Sequence, residues 1–359
     1  MDITEACQLF DTVMNEKSSS IERCSTGIGN YVFIVSTHTA KYVLRCATEI
    51  NAYNNTVHWL SRLQTCDIPI PKVLDVGRFE NYEYLILSYT VGKDIGDIYI
   101  ELTDGEKQQI AKEVMAIQKK VSMLKEDVAL EWNWNSFVDE MLNRSYEYIS
   151  SNGYFAVSKV DKLRLLKKKL QGYISSIKPI PYLDDISTKN LLISDGHVSG
   201  VIDIDWLGFG DVLTFVAMTK VALLNMELDT KYVDYLLEEL HPNADQYKAF
   251  IFYCLLFCVD FMGERGTRFL DKIIPVNQKI IDRLNIIYDE LMTFVAENEE
   301  DKKEIIISEW PKAMKETNYE EAEKTLENLK DIIVEIRNIR ATKNIHPSKK
   351  AKLIFVTQK

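Results

Sequence analysis

Three side chains within one short stretch have the types and spacing to do chemistry together: Asp185, Asn190 and Asp203. Asp185 and Asn190 share a loop that runs into the apolar segment Leu191-Leu192-Ile193. Asp195-Gly196 is a strong two-residue hairpin signal, and the return run Val198 to Ile202 ends on Asp203. The hairpin therefore brings one candidate base and two oxygen ligands to one edge of a small sheet. Phosphoryl transfer needs these parts: a carboxylate to take a hydroxyl proton, and an Asn and an Asp to hold Mg²⁺ on phosphates. An acid, four spacer residues, Asn, a hairpin and a second Asp is also the spacing of a kinase catalytic loop. An acidic hairpin in an unrelated α/β protein would have to reproduce several of these elements in order.

The elements that must position the loop are legible upstream. Residues 3–16 read as an amphipathic helix with Ile3, Ala6, Leu9, Phe10 and Val13 on one face. A turn with two glycines, Ser25-Thr26-Gly27-Ile28-Gly29-Asn30, precedes a β-rich run from Tyr31 to Val35. Such a turn lets backbone N–H groups approach phosphates without Cβ obstruction, although a lone Gly-x-Gly is usually a plain hairpin. The next strand, Lys41 to Arg45, ends on a cation capable of bidentate phosphate contact. A helix is expected over 49–63, with Glu49 its only carboxylate. Ile68-Pro69-Ile70-Pro71 leads into an extended run, and Tyr82 to Ser88 forms an apolar strand ahead of Tyr89-Thr90-Val91-Gly92. Helical patterns follow at 104–122, 133–151 and 159–177, with Asp104 and Ser158 as caps. Trp132 to Phe137 could wall a substrate site or simply pack the core. Beyond the hairpin come an all-round apolar helix at 212–226, a helix at 243–264 and a closing helix at 276–295.

The stretch 183–211 resembles the aminoglycoside phosphotransferase family, whose usual form is His-Gly-Asp-x4-Asn, a hairpin, Ile-Asp and a trailing Gly-Asp. Asp185, Asn190, Asp203, Gly210 and Asp211 fall on that pattern. Leu183 and Asp184 stand where the family has His and Gly, and that His normally braces the loop. Tyr42 through Gly92 is similar to hygromycin phosphotransferases in particular, through Tyr-Val-Leu-Arg, Pro-Ile-Pro and Val-Leu-Asp-x-Gly at matching separations. The resemblance implies an α+β, two-lobed protein-kinase-like fold, with a small β-rich N-lobe over 1–92 and a large, mainly helical C-lobe over 93–295. It places Ser25, Thr26, Gly27, Gly29 and Asn30 over the phosphates of ATP or GTP, and Arg45 where kinases carry their phosphate-pairing Lys. The purine edge would meet Ser88, Tyr89, Thr90 and Val91. Asp185 becomes the base, and Asn190 and Asp203 the Mg²⁺ ligands. Asp205, Asp260 and Glu264 are the acids expected to face a cationic substrate; Asp260 and Glu264 stand four apart on one helix face, which a solvated surface would also explain.

Composition sets limits around this reading. The 359 residues are 46% hydrophobic and 27% charged, ordinary values for a globular chain long enough for two or three domains. No apolar run approaches the roughly 18 residues of a membrane span, and the N-terminus lacks a basic signal-peptide start. The six cysteines form no Cys-x-x-Cys pair, so a reduced, cytoplasmic protein is expected, with Cys254 and Cys258 as core thiols. A net charge of −11 argues against general nucleic-acid binding and suits a cationic small substrate, though solubility alone would account for it. The scattered histidines suggest no zinc site.

Composition shifts at Ala296, where a charge run begins. A helix is expected from Tyr319 to Ala341, with Leu326, Leu329, Ile333, Ile336 and Ile339 in one stripe. Ser308-Glu309-Trp310-Pro311, Ile336 to Ala341 and Pro347 to Ala351 resemble the end of the anticodon-binding domain of a valyl-tRNA synthetase. That resemblance implies a partial helical appendage over 296–359, a fusion remnant with at most weak tRNA contact; no synthetase catalytic motif is present. The resulting expectation is transfer of a nucleotide γ-phosphate to a hydroxyl of a cationic small molecule resembling hygromycin B. The alternatives are a metabolic choline- or sugar-kinase-like enzyme and a non-catalytic nucleotide- or RNA-binding protein.

Overall fold

The computed structural model describes residues 1–24, 31–125, 132–269 and 272–300, and beyond them Lys324, Glu335, Ile336 and Thr342, all four helical. Met1–Lys302 form one compact unit and Lys303–Lys359 a second. The expected Ser308–Pro311 segment and nearly all of the 319–341 helix lie outside the described residues.

The chain opens with α1 (Ile3–Met14), whose first turn is closed by a reciprocal Asp2–Glu5 capping box. Then come β1 (Ser20–Arg23), β2 (Tyr31–Ser36), β3 (Lys41–Ala47), α2 (Asn54–Gln64), β4 (Val73–Phe79) and β5 (Tyr82–Ser88). The five strands pair antiparallel in the order β1-β2-β3-β5-β4. Alternation along them sorts the two faces. Phe33, Val35, Leu44, Cys46, Tyr84 and Ile86 pack on Ala6, Leu9 and Phe10 of α1. Ala47, Leu85 and Leu87 turn the other way, into the main core. Arg45, one position from Leu44 and two from Ala47, shares that inward face and is 7% exposed.

The larger lobe begins with β6 (Lys93–Asp94), α3 (Ile95–Ile98), α4 (Asp104–Val121), α5 (Trp134–Asn152), α6 (Ser158–Lys169) and α7 (Gln171–Ile174). Neither expected cap holds: Thr103, not Asp104, caps α4 through a capping box with Glu106, and α6 starts after Val157 without a side-chain cap. Next are β7 (Pro181–Tyr182), β8 (Leu191–Ser194), β9 (His197–Val201), β10 (Gly208–Phe209), α8 (Leu213–Asn225), α9 (Lys231–Leu240) and α10 (Ala244–Glu264). A two-stranded β11 (Arg268–Phe269) and β12 (Lys272–Ile273) precede α11 (Gln278–Glu300), which continues past 295 into the charge run. Among the described residues α10 is the one helix long and apolar enough to cross a membrane, and 72% of that window is buried. Its Phe250, Tyr253, Cys254, Leu255, Cys258 and Val259 are the centre of the lobe's core. Burying each Phe, Leu or Val among them contributes about 1.5–3 kcal/mol, and α5, α8 and α11 all pack against this helix.

A candidate phosphotransfer cleft

The hairpin forms as the sequence predicts. Asp195 and Gly196 both take positive φ, 51° and 76°, as a type I′ turn requires, and join β8 to β9. β6 adds a third strand to β8, pairing Asp94 with Leu192. The entry to β8 is fixed from both sides: the Ile202 N–H donates to the Asn190 carbonyl at 3.0 Å, and the Asn190 N–H donates to Asp94 Oδ1 at 2.8 Å.

Within this frame Asn190 Nδ2 donates to Asp185 Oδ2 and to the Asp185 carbonyl, both at 3.0 Å. Asn190 and Asp203 sit in the left-handed region, at φ 66° and 58°. Short polar side chains tolerate that conformation best among non-glycine residues, which suits these types at these places. Asp185 is exposed to solvent, with protein packed closely enough around its carboxyl to desolvate it in part. Burial pushes its carboxyl up to about 6, and the neighbouring charges of Asp184 and Asp203 add to the shift. A carboxylate poised there can accept a proton near neutral pH.

Arg45 reaches this edge from β3. Its Nη1 and Nη2 donate to Asp205 Oδ1 and Oδ2 at 3.0 and 2.8 Å, and Nη1 lies 3.2 Å from Asp203 Oδ1. Thr56 on α2, 1% exposed, donates to Asp205 Oδ1 at 2.6 Å. Burial alone would raise Asp205, but the hydrogen bonds and charge of Arg45, with Thr56, hold it below the usual carboxylate range. Asp203 is pushed up by burial, with Arg45 opposing and Asp205 adding to the rise. Glu49, the acid expected to orient this cation, is exposed and ahead of α2, which starts at Asn54; Asp205 and Asp203 hold Arg45 instead. The helix starts late because residues 48–53 are turn, with Asn51 at φ 62°.

Asn190 and Asp203 offer an amide oxygen and a carboxylate. Among the described residues no three His, Cys, Asp or Glu side chains form a metal cage. Two hard oxygen donors fit Mg²⁺, which binds through one or two protein oxygens and takes the rest from phosphates and water.

The other expected site residues are spread out. Ser25, Thr26, Gly27, Gly29 and Asn30 lie outside the described residues. Ser88 has its N–H on the Lys72 carbonyl at 2.9 Å, and its hydroxyl accepts the Lys72 N–H at 2.8 Å; Tyr89 to Val91 follow as the link between the lobes. Thr90 is seated against β9 so closely that a Cβ on Gly200 would stand 2.4 Å from its Cγ2. Asp260 is 7% exposed and held by Arg144 Nη2 at 2.8 Å and Nε at 3.2 Å. Glu264, one turn on, is half-buried and raised by burial and then by Asp260. Trp134 is core, 3% exposed, donating to Tyr253 Oη at 3.0 Å. Tyr253 and Tyr173 in turn donate to Asp211 Oδ2 at 3.1 and 2.7 Å.

Sequence reasoning missed three supports: Thr56, Asp94 and Gln118. Gln118 accepts the Leu183 N–H at 2.9 Å and donates to the Leu183 carbonyl at 2.8 Å, from 65 residues away. Leu183 itself is 2% exposed, a core residue rather than a vacancy in the loop's bracing.

Comparison with known proteins bears on the fold and the family. The fold is similar to a thermostable mutant of aminoglycoside phosphotransferase APH(4)-Ia in ternary complex with AMP-PNP and hygromycin B, at TM-score 0.59 and 16% identity over 82% of this chain and 99% of that one. It is similar to ADP-bound aminoglycoside phosphotransferase APH(2'')-Ib at TM-score 0.56 and 14% identity, over 80% and 97%. The gentamicin complex of APH(2'')-IIa gives TM-score 0.55 and 14% identity, over 81% and 96%. No curated protein matches by sequence. A family model described as the phosphotransferase enzyme family matches residues 20–250, a span that holds Arg45, Thr56, Asp185, Asn190 and Asp203 together. On that match and this kinase-like fold, the chain belongs to the phosphotransferase enzyme family and is an enzyme of that kind.

Proposed function

We propose that this enzyme moves the γ-phosphoryl group of ATP or GTP to a hydroxyl of a cationic small molecule, an aminoglycoside resembling hygromycin B. The observation that carries the reading is the Asn190-anchored Asp185, raised to about 6, beside Asp203 and Arg45. Asp185 accepts the acceptor hydroxyl's proton as its oxygen bonds to phosphorus and the bridging oxygen leaves with the nucleoside diphosphate. Asn190 keeps the carboxylate aimed, and Arg45, held by Asp205 and Asp203, offsets part of the negative charge that these two acids would otherwise set beside the phosphates. Asn190 and Asp203 would hold Mg²⁺, which when bound neutralises phosphate charge. Tyr89 to Val91 supply backbone groups for the purine edge. Relatives of this fold carrying hygromycin B, gentamicin and adenine nucleotides support both substrate classes.

A second reading, a small-molecule kinase for a less highly charged acceptor such as choline or a sugar, is favoured by the Arg144–Asp260 pair. That pair already neutralises the acid expected to grip a substrate ammonium. A screen of aminoglycosides, choline and simple sugars with labelled ATP and GTP decides between them. Label transfer to an aminocyclitol supports the first reading; transfer to choline or a sugar alone rejects it. The unit from Lys303 onward we assign to an appendage outside the phosphotransfer machinery, since every residue given a role in the site precedes it.

A further inference from the structure

We propose that Gln118 is a positioning residue for the base: its side-chain amide pairs the backbone of the catalytic loop as a neighbouring strand would, and so fixes where Asp185 stands. The proposal rests on the phosphotransfer reading of Asp185.

β7 ends at Tyr182, where it pairs with Gly208 of β10. One residue later the chain has no strand beside it, yet the Leu183 N–H and carbonyl are both buried and must be satisfied. Gln118 supplies both partners at once. Its Oε1 accepts from the Leu183 N–H at 2.9 Å, and its Nε2 donates to the Leu183 carbonyl at 2.8 Å. This doublet is what two antiparallel residues exchange in a hydrogen-bonded pair. The directions also fix the orientation of the amide, because a flipped group would set like atoms against each other.

Both ends of the clamp are rigid. Gln118 is 2% exposed and sits in the last turn of α4, an 18-residue helix capped at its start. The Leu183 side chain, 2% exposed, is packed in the main core. On the far side Gly208 is pressed against the loop, where a Cβ would stand 2.5 Å from the Tyr182 ring and 2.9 Å from Asp184 Cβ. Asp185 follows two residues after Leu183 and before the Asn190 bond. The base is thus held by the α4 clamp behind it and by Asn190 ahead of it. Losing the first leaves the loop behind Asp185 held by packing alone, with the buried Leu183 N–H and carbonyl unpaired, and displacement of a reacting group by about 1 Å is enough to cost roughly 10²-fold in rate.

The test uses the full chain with Gln118→Leu and Gln118→Glu. Three quantities are read: ATP turnover with hygromycin B or water as acceptor, the KM for ATP, and hydrogen exchange at the Leu183 amide. Gln118→Leu should lower kcat by about 10–100-fold with KM within about twofold, and speed Leu183 exchange at least tenfold while α10 amides stay protected. Gln118→Glu can replace the amide only while protonated, and burial raises its carboxyl. Its kcat relative to parent should therefore be near unity at about pH 6 and fall at least tenfold by about pH 9; taking the ratio cancels the limb set by Asp185 itself. Unchanged kcat in Gln118→Leu, a variant-to-parent ratio flat with pH in Gln118→Glu, or exchange accelerated equally throughout α10 would each overturn the proposal. Should Gln118→Leu fail to fold, the Gln118→Glu ratio decides alone. A parent without turnover on any acceptor rejects the phosphotransfer reading instead, and Leu183 exchange then judges the clamp.

Discussion

Arg45 spans the two lobes to meet Asp205 with both terminal nitrogens, and the acid's other buried contact is the Thr56 hydroxyl from the same small lobe as Arg45. The cation that would pair phosphates is therefore oriented by an acid two residues past Asp203 rather than by one on α2. Removing that acid by Asp205→Asn should lower stability by roughly 3 kcal/mol, the low end for a broken buried pair because Asp205 is partly exposed. Nucleotide affinity should fall with it. Urea unfolding and calorimetric titration with Mg-ATP check the two effects; an unaffected affinity would leave Arg45 without a role at the phosphates.

Asp185→Asn should keep Mg-ATP affinity while lowering turnover by about 10²–10⁴, the usual worth of a positioned general base. Single-turnover kinetics at saturating nucleotide provide the check. A folded variant with parental turnover removes Asp185 from the mechanism.

The pH dependence follows from the same carboxyl, raised to about 6. Activity needs the ionised form, so kcat/KM should rise with pH through about 6 and then level. Stability runs the other way. A carboxyl raised above its unfolded value contributes stability present below that unfolded value and lost as pH rises through the folded one, so this contribution fades between about pH 4 and pH 6. Asp185→Asn removes the charge and should melt at or above the parent temperature at neutral pH. A lower melting temperature in the variant would contradict the raised carboxyl.

Leu183→His, the residue that the family pattern leads one to expect there, should be destabilising by about 2–4 kcal/mol, because it sets a polar ring in a 2% exposed core position. The sequence alone leads one to expect better loop bracing from this change. Thermal melts of Leu183→His alone and with Asp184→Gly distinguish the outcomes, and a gain in both stability and turnover would favour the bracing view.

Truncation after Lys302 should leave turnover and Mg-ATP affinity intact, since the parts named in the site all precede that point. A cut at residue 295 would sever α11, which runs to Glu300. Loss of phosphotransfer from a shortened protein that still binds ATP would place part of the site in the appended segment.

What the sequence made legible was local. Asp185, Asn190 and Asp203 lie within one loop and one hairpin, and the Asp195-Gly196 turn dictates how the strands return, so their meeting could be read from spacing. The partners of those residues could not. Asp205 finds Arg45 across 160 positions, and Gln118 finds Leu183 across 65. Neither carries a periodic or turn signal, and both are set by how the lobes and helices pack. Glu49 failed for the converse reason: a helix start was placed in residues that form turns. The spacing along α10 leaves Asp260 open to a substrate or a solvated face, whereas it is 7% exposed and paired with Arg144 from α5, a partner invisible to a pattern along α10 alone.

The contact of Thr90 with Gly200 sets how closely the chain linking the lobes can lie on β9. With no Cβ at Gly200, the Thr90 methyl occupies the space a side chain would need, since a Cβ there would stand 2.4 Å from it. Any larger residue at this position must push the link off the strand, so the seat of the small lobe on the large one depends on the absence of one carbon atom.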